Sequence, residues 1–370
     1  MYALKQRISP ALERLKAFYE AHEPACTAGF FAAGFLFDVT AVGRIDRLHN
    51  ILHQGLYLTL SGFFTGLELR ERFGNFSPPK RFAAAWRYHK GATHFMLGTL
   101  LNIYTMFYFK SASLSVSFFF LAFLALLLLV NELKPFKEHG TTLRMTLFSL
   151  CLVSYFTYLV PLLAGRIGAL PFAGSIAAAS ACAAALVWRL NRRLPEHAAA
   201  VRRNLVYPFG AVASLFSLLY FFRLIPPVPL SLSEIGIYHK VERRGASFLL
   251  TSTRPRWKFW QRGDQVFLAR PGDAVYCWVA VFAPADFTER LAVRWISLAA
   301  GAGEKADEIP LGIEGGRDGG WRGYTVKARY SPGPWRVEIV TSDGRELGRI
   351  GLEIVPDGSG ATRRARVLTR

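Results

Sequence analysis

Hydrophobic and polar positions follow two different patterns along this 370-residue chain. Residues 1–230 contain long apolar runs separated by short basic segments, whereas residues 231–370 consist of short β-rich runs separated by turn sequences. A helix needs about 20 mostly apolar residues to cross a bilayer. Seven stretches meet this requirement: 25–43, 51–69, 92–109, 112–133, 142–164, 168–189 and 205–223. The pattern therefore predicts a polytopic α-helical membrane bundle of about seven transmembrane helices over residues 25–224.

The segment before the first apolar stretch has a weaker, amphipathic pattern. Leu12, Leu15 and Phe18 recur at helical spacing after Ser9-Pro10, a pair typical of the start of a helix. Such a helix lies on a membrane surface rather than across it. Residues 1–24 are therefore predicted to form a cytoplasmic amphipathic segment.

Lysines and arginines predict the orientation of the bundle. Of these residues, 18 lie in the N-terminal segment or near the connections that follow the second, fourth and sixth stretches. Only 5 lie on the opposite side of the predicted bundle. Basic residues are in excess on the cytoplasmic side of a membrane protein. The N-terminus is therefore expected in the cytoplasm, and the part after the seventh stretch in the periplasm. This describes a multi-pass protein of a bacterial inner (cytoplasmic) membrane.

The net charge of +19 would indicate a nucleic-acid partner in a soluble protein. Most of the excess lies in residues 1–230, between apolar stretches, where basic residues contact anionic lipid headgroups. Membrane lipids are therefore expected as partners, and nucleic acid is not. Three of the four cysteines fall in apolar stretches, so no disulfide framework is expected.

The pattern changes at a proline-rich strip that runs from Ile225 to Leu230. Three prolines cannot continue a helix and predict a stiff extended stem over residues 225–232. Residues 233–356 are then predicted to form a periplasmic all-β sandwich domain of immunoglobulin-like type with about eight strands. The clearest strand patterns are 274–282, 291–297, 321–329, 335–340 and 347–355. Residues 357–370 are rich in arginine and predicted to be a basic disordered tail.

Several short motifs in this region resemble a known family. They are Val293-Arg294-Trp295, Ile309-Pro310-Leu311-Gly312-Ile313, Trp321-Arg322-Gly323-Tyr324-Thr325, Gly333-Pro334-Trp335-Arg336-Val337 and Asp343-Gly344-Arg345. Together, residues 285–355 resemble a bacterial domain of unknown function, the family numbered 2914. The apolar part is similar to the membrane region to which that domain is often fused. The chain has Val293 where the family often has a histidine, so the resemblance implies an architecture and no catalytic histidine.

The most suggestive polar cluster lies around the first periplasmic turn. It consists of Asp38, Arg44, Asp46, Arg47, His49 and His53. Charged residues at membrane depth usually face a bundle interior or water. The spacing of His49 and His53 places both on one helix face, where they could bind a ligand or act as a general base. The sequence leaves open a structural Arg–Asp network, a lipid-headgroup or ligand site, and catalysis. No metal and no cofactor is expected, because the ligands are too few.

The predicted β-domain carries further ligand-binding candidates. Arg256, Trp257, Lys258 and Trp260 mix cations with aromatic rings, which would suit lipid headgroups or sugar rings, although the tryptophans could equally pack on the sandwich. The other candidates are Arg317, Trp321, Arg322, Tyr324 and Trp335. Within the bundle, Glu68 and Arg70 are expected to form an interfacial ion pair.

Three functions follow from this reasoning. The favoured one is a non-enzymatic envelope protein whose periplasmic sandwich binds a glycan, lipid or protein partner. The second is an intramembrane lipid- or glycan-modifying enzyme that uses Asp38, Asp46, His49 and His53. The third and weakest is a transporter, because the seven stretches show no evident internal repeat.

Overall fold

A computed structural model describes residues 46–132, 141–285, 287–299, 303–316, 320–359 and 362–370. The predicted amphipathic segment 1–24 and the first apolar stretch, 25–43, lie outside these residues. The described chain consists of a helical N-terminal part followed by an all-β C-terminal part.

Long helices occupy the positions of the second to seventh apolar stretches. They are α1 Leu48–Arg72, α2 His89–Ser111, α3 Leu114–Glu132, α4 Thr141–Ala164, α5 Ala169–Arg193 and α6 Tyr207–Phe221. One short helical turn, Ala83–Trp86, precedes α2. Three more precede α6: Pro195–His197, Ala198–Val201 and Arg202–Val206. Three helical segments of the described chain are long and apolar enough to cross a membrane: Thr141–Ala164, Ala169–Arg193 and Pro195–Phe221.

The first described helix, α1, has polar residues on its buried face. Gln54, Ser61, Thr65 and Glu68 are buried, while Leu48, Leu52 and Leu56 at the start of the same helix are exposed. These polar residues lower the hydropathy of α1, which is why it is not among the three apolar segments. The prediction that α1 crosses the membrane therefore rests on its exposed face being apolar, and not on its mean hydropathy.

A buried ion pair joins α1 to the central helix α4. The Arg144 guanidinium donates from Nε to Oε2 of Glu68 at 2.9 Å, and Thr141 donates to the other carboxylate oxygen at 3.2 Å. The predicted pair of Glu68 with Arg70 is therefore wrong. Glu68 and Arg70 are two residues apart and do not face each other on a helix, whereas Arg144 reaches Glu68 from another helix.

Eleven strands form three sheets in the described part of the C-terminal domain. They are β1 Ser231–Tyr238, β2 Lys240–Arg244, β3 Ser247–Ser252, β4 Val266–Ala269, β5 Val275–Phe282, β6 Thr288–Ser297, β7 Glu304–Glu314, β8 Trp321–Lys327, β9 Gly333–Thr341, β10 Glu346–Pro356 and β11 Arg366–Thr369. The sheet orders are β1-β5-β8, β4-β10-β9-β6-β7 and β11-β3-β2.

Strand β5 lies at the centre of three layers. Val275, Cys277 and Val279 point into the core that β5 shares with the five-stranded sheet. Trp278 and Ala280 point to the opposite face, which the β11-β3-β2 sheet covers. Burial on both faces explains why β5 is one continuous apolar run, since a strand with one wet face would alternate.

Two predictions for the ends of the domain are wrong. The stem is not extended, because the Leu230 N–H bonds back to Pro227 O at 3.0 Å in a turn. Ile225 and Val228 of this turn are buried in the helical core and Leu230 in the β core. The described tail is not disordered. Residues 366–369 form β11, whose backbone pairs antiparallel with β3, from Arg366 opposite Ser252 to Thr369 opposite Leu249.

Candidate functional site

A loop between β3 and β4, residues 253–263, is called here the aromatic loop. Both of its ends are attached to Asp264, whose side chain is buried. Ser252 Oγ and the Thr253 backbone N–H both donate to Asp264 Oδ1 at 2.9 Å. His239 Nδ1 lies 2.8 Å from the other carboxylate oxygen. The carboxylate therefore closes the base of the loop.

The interior of the loop is held by one arginine. The Arg254 guanidinium donates to the backbone carbonyls of Lys258, at 2.9 Å, and of Gln261. Two turns add backbone hydrogen bonds, from the Lys258 N–H to Pro255 O at 3.2 Å and from the Gln261 N–H to Lys258 O at 3.1 Å. These bonds hold the backbone of the loop in a defined conformation.

Three large aromatic side chains at the tip of the loop are exposed. Trp257 is 64% exposed, Phe259 80% and Trp260 59%. Their rings contact one another edge to face, with centroids 5.6 Å apart for Trp257–Trp260 and 5.3 Å for Phe259–Trp260. Lys258 Nζ lies 5.2 Å from the centre of the Trp257 ring. This contiguous exposed cluster is a candidate interaction site, because soluble domains rarely expose large contiguous apolar patches.

The aromatic loop lies away from the helical part. The backbone of Arg262 pairs with Ile237, six residues along β1 from its start at Ser231, where the chain leaves the bundle. At about 3.3 Å per residue, this distance is about 20 Å along the strand. The bundle instead contacts the opposite end of the domain, where Thr288 N donates to Gly165 O at 3.0 Å.

The groups around Asp264 do not form a hydrolytic site. Ser252 donates to the carboxylate and not to the imidazole, and His239 Nε2 lies 3.3 Å from Leu268 O. A serine nucleophile would need the histidine as its base. Burial raises the pKa of the nearby Cys277 thiol to about 12, so this cysteine is not a nucleophile at neutral pH.

The sequence-predicted cluster at the start of α1 is only partly described. Asp38 and Arg44 lie outside the described residues. Arg47, His49 and His53 are exposed, and the His53 ring packs on Tyr57 with centroids 4.1 Å apart. Asp46 is half-buried and precedes the helix. Within the described ranges, no group of three or more His, Cys, Asp or Glu side chains could hold a metal ion.

The remaining candidates of the β-domain fall into different environments. Trp335 is buried at 4% exposure, and its Nε1 donates to Ser331 O at 2.9 Å. It is therefore a core residue and not a ligand-binding one, which corrects the prediction. Trp321 is half-buried against the same core. Arg322 is half-buried and Tyr324 is 37% exposed, while Arg317 lies outside the described residues.

Of the predicted residues, Arg256, Trp257, Lys258 and Trp260 come together on the aromatic loop. Sequence reasoning did not select Phe259, although its position between Lys258 and Trp260 was a signal. It also missed Arg254, because a backbone-binding role cannot be inferred from residue type.

Comparisons with known proteins give one family match. Residues 288–354 match a family described as "Protein of unknown function (DUF2914)", which confirms the resemblance expected from the sequence. A search of curated proteins found no match.

Two solved structures are also similar to parts of the chain. An immunoglobulin-like protein from Pseudomonas aeruginosa is 10% identical with a TM-score of 0.22, and the alignment covers 35% of this chain and 98% of that one. The alkylpurine DNA glycosylase AlkC from Pseudomonas fluorescens, bound to DNA containing an abasic site analogue, is 11% identical with a TM-score of 0.18, covering 85% and 99%. At these TM-scores, neither likeness bears on the fold or activity of this chain.

Proposed function

We propose that this protein is a membrane-anchored binding protein of the bacterial cell envelope, whose β-domain binds a glycan through the aromatic loop. The observation that carries the proposal is the exposure of Trp257, Phe259 and Trp260 on a loop whose backbone is fixed by Arg254. A preorganised loop loses little conformational entropy on binding.

The proposed anchor is a seven-helix bundle in the inner membrane. The outward face of α1 supports it, since Leu48, Leu52 and Leu56 are each more than half exposed while polar residues of the same helix are buried. Water would favour the opposite arrangement, whereas lipid favours apolar residues outside. With seven crossings and a cytoplasmic N-terminus, the β-domain lies in the periplasm.

The chemistry of the loop favours a glycan over the protein's own membrane. The C–H face of a sugar ring is apolar and packs on an indole or phenyl face. Arg256 and Arg262, both exposed, add positive charge that suits carboxylates on an envelope glycan. The loop lies about 20 Å from the bundle along β1, so it is displaced from the membrane that holds the bundle.

The test is co-sedimentation of the full-length protein in detergent with purified peptidoglycan sacculi. The triple variant W257A/F259A/W260A should bind at least about tenfold more weakly, because tenfold corresponds to about 1.4 kcal/mol and burying even one large apolar side chain is worth about 1.5–3 kcal/mol. The variant Y324A removes another exposed aromatic ring of the same domain. The proposal places this candidate outside the glycan site, so Y324A should bind like the wild type.

Two results would contradict the proposal. One is unchanged sedimentation of the triple variant, provided that it elutes and melts like the wild type. The other is binding of the wild type to anionic liposomes and not to sacculi, which would assign the loop to a membrane surface.

A further inference from the structure

A long apolar groove runs between α1, α4 and α5 along the surface of the described helices, with a volume of about 640 Å³. It extends from Leu52, near the beginning of α1, to Arg70, near its end. Over this interval the helix rises about 27 Å, close to the roughly 30 Å of a hydrocarbon core. The groove is therefore about as long as the hydrocarbon core of a bilayer is thick.

Positive charge is confined to one end of the groove. Arg70, at the end of α1, and Arg189 and Arg193, in the last turns of α5, all line it. Arg189 and Arg193 both repel the charge of Arg70. None of the three guanidinium groups has a carboxylate partner within the described part of the chain, and Arg70 donates to the neutral amide oxygen of Asn75 at 3.1 Å.

Another arginine of the described helices, Arg144, does have a carboxylate partner. Arg144 is buried and its charge is balanced by Glu68, with a hydrogen bond of 2.9 Å. Arg70, Arg189 and Arg193, the last two of which are exposed, have no such carboxylate partner among the described residues. An anion that is attached to an apolar chain would neutralise them and fill the groove at once.

We propose that the groove binds an anionic phospholipid of the cytoplasmic leaflet. Its phosphate is bound by Arg70, Arg189 and Arg193, since guanidinium groups bind phosphate oxygens with paired N–H donors. Its acyl chain lies along the apolar wall formed by residues such as Leu56 and Phe63. This inference rests on the proposed membrane placement of the bundle and is independent of the ligand of the aromatic loop.

The experiment is native mass spectrometry of the delipidated full-length protein, titrated with phosphatidylglycerol, phosphatidylcholine or inorganic phosphate. The wild type should bind phosphatidylglycerol about tenfold more tightly than phosphatidylcholine, because only the first carries a net negative charge. The variant R189Q/R193Q should lose this preference. The control R192Q/R203Q removes the same charge from exposed arginines outside the groove lining and should keep it.

A second pair of variants tests the acyl-chain part. Thr59 lines the groove and Thr99 does not, and each donates its hydroxyl to the backbone carbonyl four residues earlier. T59W should weaken binding of phosphatidylglycerol, and T99W should not. The selectivity of the wild type needs no variant, so the proposal stays testable if a variant fails to fold.

Three results would overturn the proposal. The first is equal affinity of the wild type for the two phospholipids. The second is binding of inorganic phosphate as tight as that of the lipid, which would indicate an anion site without an acyl chain. The third is a photo-crosslinker at Leu56 that captures residues 1–45 of the chain and no lipid, which would make the groove an internal contact.

Discussion

Tyr220, near the end of α6, donates a hydrogen bond from its hydroxyl to Oδ2 of Asp343 at 3.0 Å. Asp343 belongs to the turn between β9 and β10, and the Arg345 guanidinium of the same turn lies 5.0 Å from the centre of the Tyr220 ring. The last helix and the β-domain are thus joined by a hydrogen bond and a cation–π contact. Because Ile225 and Val228 are also buried here, the two parts form one packed unit.

The first prediction concerns this junction. Y220F removes one hydrogen bond and leaves Asp343 without that donor, which typically costs about 0.5–1.5 kcal/mol. We expect faster hydrogen exchange of residues 341–346 in the full-length protein, with little change elsewhere. Y207F alters an exposed tyrosine at the start of α6 and serves as the control. Equal exchange in Y220F and wild type would show that the contact does not hold the turn.

The second prediction concerns the C-terminal strand. The Arg363 guanidinium donates to Asp273 at 3.1 Å and holds the pKa of that carboxyl below its usual range. A lowered pKa in the folded protein means that the contact stabilises fully above the ordinary pKa of about 3.9, and that this contribution is lost as the pH falls below it. R363Q should therefore melt at a lower temperature than the wild type at pH 5 and 7.

The difference between R363Q and the wild type should shrink below about pH 4. R364Q removes the same charge from an exposed neighbour and is expected to melt like the wild type at each pH. Thermal melts followed by circular dichroism measure both. A difference that persists unchanged at pH 3 would mean that Asp273 is not the partner that matters.

The third prediction concerns the buried pair of Glu68 and Arg144. Glu68→Ala leaves a buried arginine unpaired, and removing one partner of such a pair typically costs about 3–5 kcal/mol. Thermal denaturation in detergent should show a large loss of stability. The double variant E68L/R144M removes both charges and should recover most of it. A double variant as unstable as E68A would show that the loss comes from packing rather than from charge.

The fourth prediction separates a binding protein from an enzyme. His49 and His53 are exposed on the first turns of α1, which is compatible with either. Complementation of a deletion strain decides between them, and H49A and H53A should each complement like the wild type. A normally abundant H49A protein that fails to complement would contradict a function carried by the aromatic loop alone and would favour the enzyme.

Sequence reasoning predicted the helices and strands whose hydrophobic pattern directly reflects which of their faces are buried or contact lipid. Strand β5 was predicted because both of its faces are buried, and helices α4 and α5 because their length and hydropathy suit a bilayer. Strand β7 was missed because Glu304–Glu314 mixes charges with Pro310, a combination that is tolerated at a sheet edge. The last strand, β11, was missed for a related reason, since arginines surround its apolar residues.

The candidate site was less accessible to sequence reasoning. Residue types identified Trp257 and Trp260, but not whether they pack on the domain or face solvent. Their exposure follows from the conformation of the loop, in which Arg254 donates to the backbone carbonyls of Lys258 and Gln261. The partner of Glu68 was missed for a similar reason, because Arg144 is distant in sequence and close only after the helices pack.

The central claim is that a membrane bundle presents the β-domain on the side opposite the cytoplasm, and reporter fusions test it most directly. The fusion point should follow Arg370, because β11 belongs to the domain. An alkaline phosphatase fused there is predicted to be active, and a green fluorescent protein to be dark, in intact cells. An inactive phosphatase together with a bright fluorescent protein would place the domain in the cytoplasm and contradict the account.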